Sequence, residues 1–169
     1  MMSTATITNT RNRQSRPCSE SILERKNAHE GNLHAQGAPV RIESLTVKAD
    51  RVIARIAIDD VHFRYTTPAI AERAQAEYPT LARHACVNAR GKTFGAVMNE
   101  TSTAHLLEHL VIEMQIRSCV DEAAVFVGTT EWIDEQAGIA CVQVSFEDDL
   151  NALRAFNKAA HFLNSAVIV

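Results

Sequence analysis

The chain has 169 residues and a formal net charge of -3, with 46% hydrophobic and 22% charged residues. That length supports one domain with a sizeable core, and the mild acidity gives no electrostatic case for nucleic acid or an anionic membrane surface as a partner. No apolar run approaches a membrane span and the N-terminus lacks the apolar core of a signal peptide, so the expected setting is the cytoplasm. Cys18, Cys86, Cys119 and Cys141 form no closely spaced pairs. That argues against a disulfide framework or a Cys-based zinc finger, and for a reducing compartment.

Residues 1–39 are dominated by Ser, Thr, Asn, Arg and Gln with isolated apolar positions, which predicts a flexible N-terminal extension. Residues 40–169 read as a single α+β domain. Residues 40–47 and 51–58 are strand-like, joined by a hairpin turn at Lys48, Ala49 and Asp50. Val52, Ala54, Ile56 and Ile58 alternate cleanly, whereas the first strand slips between Ile42 and Leu45 and predicts a bulge. Thr67-Pro68 supplies an N-cap and first helical position for a helix that stops before Pro79. A second short helix is expected over residues 80–86, then a loop over 88–99, then a long helix capped by Thr101, Ser102 or Thr103. In the second half, a short strand at 123–127 precedes a loop over 128–138. A longer strand follows at 139–146, then a final helix capped by Asp148 or Asp149 with the stripe Leu150, Leu153, Phe156, Ala160 and Leu163. Two hairpin-helix units predict an antiparallel or mixed sheet of about four strands, covered by helices.

The long helix carries His-x-x-Glu-His. At about 100° per residue, His105 and His109 lie one turn apart on one face, with Glu108 beside them. Leu106, Leu107, Leu110, Val111 and Met114 form the opposite, core-facing stripe. Ile112 and Ile116 share the histidine sector, so the helix is expected to be enclosed on both sides. Two imidazoles at this spacing can hold one zinc ion, and the intervening carboxylate can take a proton from an attacking water. In this order His105 and His109 are metal ligands and Glu108 is the general base. A third protein ligand is required. Glu147, at the end of a strand expected beneath the helix, is the favoured candidate, with Cys86, Cys141 and Glu131 in reserve. Glu113, one turn beyond His109 on the edge of the polar face, can instead orient His109 from outside the ligand set. The same five residues also fit two ordinary histidines on an amphipathic helix, and both readings stand at this point.

The span from residue 80 to 167 resembles the N-terminal domain of cyanophycin synthetase. The resemblance runs through Leu81, His84 and Cys86, then Gly91 and Gly95. It continues with Thr103, His105, Glu108, His109 and Glu113, then Gly128-Thr129, a strand over 142–147 and the Ala-rich helix over 150–163. It implies a domain that holds an Asp-Arg polymer or, as in some members, a metallopeptidase that cuts it. The polymerising activities of that family belong to two further domains of ATP-grasp and Mur-ligase type. No Gly-x-x-x-x-Gly-Lys-Ser/Thr sequence is present, so no ATP-dependent ligase activity is expected. The readings that follow are a zinc-dependent hydrolase of peptidase or isopeptidase type, and a non-catalytic binding or tethering module. The oligomeric state, homo-oligomer included, stays open. Trp132 is a candidate pocket residue, and Glu131, Asp134 and Glu135 are candidate acidic walls for an Arg-bearing substrate.

Overall fold

Alternation of Val52, Ala54, Ile56 and Ile58 buries one face of a strand completely, and the rest of the sheet is laid down beside it. The computed structural model describes residues 3–6 as backbone and residues 38–121 and 123–166 in full. Six strands and three α-helices follow in order. They are β1 (Ser3–Thr6), β2 (Val40–Val47), β3 (Arg51–Ile58), α1 (Pro68–Glu77), β4 (Cys86–Val87), α2 (Thr103–Ser118), β5 (Val127–Asp134), β6 (Ile139–Ser145) and α3 (Asp149–Ala166). The sheet order is β2-β3-β6-β5-β1-β4, and every neighbouring pair is antiparallel. The α+β expectation holds, and of its two alternatives the sheet takes the antiparallel one. The four long strands β2-β3-β6-β5 are its body. Ser3–Thr6, inside the segment expected to be flexible, pairs with both β5 and β4. The rest of that expectation lies outside the described residues.

The register between β2 and β3 shifts between Ile42 and Ser44, where the broken alternation placed a bulge. Across β3, β6 and β5, the pairs Val52–Val144, Ala54–Val142, Val144–Gly128 and Val142–Thr130 set one face towards the helices. α3 lies over β2 and β3, α2 lies over β5 and β6, and the two helices pack on each other. Ala152, Ala155, Ala159 and Ala160 let α3 approach closely, while Leu150 in its first turn is exposed, outside the expected core stripe. Asn164 on α3 clasps Val40 through both backbone groups, at 2.8 and 2.9 Å, and so fastens the helix end to the edge strand.

Two stretches differ from expectation. Residues 80–86 form only a 3-10 turn (Leu81–Arg83) followed by β4. The backbone of His84 is extended there, and it accepts from Phe94 N at 2.8 Å while Cys86 N donates to Lys92 O at 3.1 Å. These non-local bonds outcompete a second helical turn. The expected strand at 123–127 and loop at 128–138 are instead one strand that starts at Val127 and runs to Asp134. Gly128 and Glu131 are by themselves poor strand formers. Pairing with β6 on one side and β1 on the other overrides that preference. The turn at Glu135–Gly138 closes the hairpin, with Gly138 at φ 73°; a side chain there would meet the Ile58 carbonyl.

Candidate metal centre

α2 is enclosed almost throughout. Every residue from Thr103 to Glu113 is buried, including the polar side chains of His105, Glu108, His109 and Glu113. Its N-terminus is set by Ser102, whose hydroxyl accepts from His105 N at 3.1 Å. Of the three capping candidates, Ser102 is the one that caps. The buried imidazoles resist charging. Burial pushes His105 down to about 4. His109 lies well below its ordinary value, through burial first and then the neighbouring His105 and His84. Both histidines are therefore neutral near pH 7, the form a metal ligand needs.

Cys86 from β4 meets these two rings. One donor atom from each of Cys86, His105 and His109 lies within 4.8 Å of the others, and Cys86 Sγ stands 3.5 Å from His105 Nε2. Ideal tetrahedral bonds to zinc of roughly 2.0–2.3 Å put sulfur and nitrogen about 3.5 Å apart. The Cys86–His105 pair thus already has that spacing, and the third donor, on His109, lies within 4.8 Å of both. A thiolate with two imidazoles suits zinc better than magnesium or calcium, which favour oxygen. His109 Nε2 is buried with no hydrogen-bond partner. A cation there would satisfy it, so the residues present fit a zinc-type ion.

The surroundings orient each ring. Thr101 Oγ1 lies 2.8 Å from His105 Nδ1. Phe94 stacks on His109 at a centroid distance of 3.8 Å and meets His105 edge-on at 5.1 Å. His84 Nδ1 lies 3.2 Å from His109 Nδ1, and His84 Nε2 lies 2.8 Å from Glu113 Oε2. Glu113 also accepts from Thr80 and, at 2.9 Å, from Arg117 Nε. Burial alone would raise the Glu113 carboxyl, but the hydrogen bonds from His84, Thr80 and Arg117 outweigh it and hold it at about 2. Glu113 thus reaches His109 only through His84.

Glu108 faces β5. Its Oε2 accepts from the Thr130 hydroxyl, and its side chain lies so close to Gly128 that a Cβ there would stand 2.6 Å from Glu108 Cγ and Oε1. Gly128 therefore makes room for the carboxylate.

Other expected residues fall away from this centre. Glu147 is exposed beyond the end of β6, and the group of converging donors does not include it. Gln115 Nε2 donates to Ser145 O at 3.1 Å. That end of β6 thus lies ten residues along α2 from His105, roughly 15 Å away at 1.5 Å per residue. The third donor is Cys86, previously a reserve. Cys141 is disulfide-bonded, contrary to the expectation of unpaired thiols, and cannot serve as a ligand; Cys86 and Cys119 are thiols. Glu131 alternates with Thr130 and so faces the other side of the sheet. Trp132 belongs to β5 rather than a loop and packs against Tyr65 at 6.3 Å, while Tyr65 donates to Glu135. No described helix is long and apolar enough to cross a membrane. Phe94, Thr101 and Thr130 were missed. Only the proximity of Phe94 to Gly91 and Gly95 and of Thr130 to Gly128 marked their surroundings.

Fold and centre together define a small α+β domain with a buried Cys/His/His donor group beside a fixed carboxylate. The chain belongs to the cyanophycin synthase-like N-terminal domain family, whose model matches residues 55–168. No curated protein and no solved structure matches it.

Proposed function

We propose that this protein is a zinc-dependent hydrolase of amide bonds in a peptide or Asp-Arg type polymer. In this reading Cys86, His105 and His109 hold the metal and Glu108 is the general base. The observation that carries it is the convergence of three buried donors from two separate segments, with His109 Nε2 left without a hydrogen-bond partner. When bound, zinc would polarise a carbonyl and lower the pKa of a water to about 7. Glu108, oriented by Thr130 and flanked by Gly128, accepts the proton that such a water loses and passes it to the leaving nitrogen. Thr101 and His84 hold the two imidazoles in place. A cytoplasmic setting accompanies this reading, because Cys86 must stay reduced to act as a ligand; the disulfide at Cys141 is the feature that argues against it.

A second reading, a non-catalytic module that tethers a charged peptide polymer, is favoured by enclosure. His105 is 1% exposed and His109 and Glu108 are 0% exposed, and Phe94 covers one ring face. Elemental analysis of wild type beside His105→Ala, with polymer cleavage and polymer binding assayed in parallel, separates the two. The hydrolase reading expects about one zinc per wild-type chain, none in His105→Ala, and loss of cleavage in Glu108→Gln with metal retained. Polymer binding that survives His105→Ala, with no cleavage by wild type, supports the tether instead.

A further inference from the structure

The hydrogen bonds around His109 determine where its proton sits. Glu113 already accepts from Arg117 and Thr80, and as a carboxylate it can only accept from His84. His84 Nε2, 2.8 Å from Glu113 Oε2, therefore carries a hydrogen. In a neutral imidazole the other nitrogen then has a lone pair. His84 Nδ1 faces His109 Nδ1 at 3.2 Å, so His109 Nδ1 must be the donor of that pair. His109 Nε2 is left as the lone pair. The opposite arrangement, an imidazolium at His84, would force the His109 hydrogen onto Nε2. No described group accepts a hydrogen bond there, and an orphaned buried N–H is costly.

We propose that Glu113 and His84 form a positioning relay that locks His109 in the Nδ1–H tautomer, so that its Nε2 presents a lone pair inside the centre. Neither relay residue touches substrate or reacting atoms. Arg117 anchors the outer end. Its guanidinium donates to Glu113, lies 4.6 Å over the Tyr78 ring and donates to the Glu77 carbonyl at 3.2 Å. The chain Arg117–Glu113–His84–His109 thus runs from the half-exposed end of α2 into the centre. Helix α2 supplies three of its members, and His84, directly after the 3-10 turn Leu81–Arg83, is the fourth. The ring stack with Phe94 at 3.8 Å fixes the plane in which the His109 hydrogen points. The relay's consequence for metal affinity rests on the zinc reading above; the tautomer does not.

Two-bond proton–nitrogen NMR on the chelator-treated, nitrogen-15-labelled protein at neutral pH reads each histidine's tautomer directly. His109 is expected as Nδ1–H, the less common form in water, and His84 as Nε2–H. His84→Phe keeps a ring in the site but removes the acceptor. It should move His109 towards Nε2–H and weaken zinc binding by about 10- to 100-fold. Finding Nε2–H on His109 in the wild type overturns the relay, as does an unchanged His109 signal in His84→Phe. A wild type with Nδ1–H on His109 that takes up no zinc keeps the relay and defeats the zinc reading. Zinc bound through His109 without the Nδ1–H tautomer does the reverse. The wild-type spectrum needs no variant to fold.

Discussion

Gly128 and Glu108 illustrate how little slack the centre has. A Cβ at position 128 would stand 2.6 Å from Glu108 Cγ and Oε1 and 2.8 Å from its Cδ. Either the carboxylate leaves Thr130 or β5 moves outward, and β5 is pinned between β6 and β1. Gly128→Ala is therefore expected to lower stability by about 1–3 kcal/mol, the usual result of overpacking. In the hydrolase reading it also cuts cleavage while the Cys86, His105 and His109 group keeps its zinc. Chemical denaturation and zinc titration of the variant check both parts, and an unchanged denaturation midpoint would show that the carboxylate has room to spare. His105, Glu108 and His109 were legible because an α-helix fixes the relation of residues three and four apart. The third donor was not, because nothing in the spacing of a helix says which distant segment crosses its face. Glu147 has suitable chemistry but lies beyond the far end of β6; Cys86 reaches the centre through a two-residue strand too short to leave a periodic signal.

At the scale of elements, the start of α2 carries both folding and site geometry. Ser102 caps the helix through His105 N, so the same bond satisfies an orphan donor and sets the backbone of a candidate ligand. Thr103 adds a side-chain bond to Phe63 O, and Thr66 N donates to Thr101 O at 2.8 Å, tying this end to the chain before α1. Ser102→Ala should cost about 1 kcal/mol, and Ser102→Asp should recover most of it. Urea midpoints for the two variants decide this, with equal losses in both arguing that tertiary contacts alone hold the helix end. Thr67-Pro68, the β2 bulge and the β2–β3 hairpin could be read locally, since caps, breaks in alternation and turn residues are short-range signals. The strand nature of residues 128–134 could not. It is fixed by partners far along the chain, including Ser3–Thr6, because Gly128, Glu131 and Asp134 interrupt the local strand signal.

For the whole molecule, the unusual feature is how much polar chemistry lies inside one hydrophobic core. His105, Glu108, His109 and Glu113 share it with Leu106, Leu107, Leu110, Ile112, Phe94 and Phe156. In the metal-free protein this makes stability depend on acid in a definite direction. His105 titrates at about 4 when folded, against its ordinary 6.5, and His109 lower than ordinary for the same reason. Between those values the unfolded chain binds protons that the folded chain refuses, so stability falls as pH drops below 6.5. Two such protons give a slope of up to about 2.7 kcal/mol per pH unit. Glu113, held at about 2 against an ordinary 4.5, adds a further loss as pH falls below 4.5 towards 2. All three groups act in the same sense, and none contributes a slope above neutrality. Denaturant midpoints of chelator-treated protein should therefore be level from about pH 7 upwards and decline steadily below 6.5. Bound zinc would compete with protons for His105 and His109, so the loaded protein should hold its midpoint to lower pH and then lose metal and stability together. A midpoint constant down to pH 5 without metal would mean that the two imidazoles accept protons inside the fold. The core would then have to open to water around them.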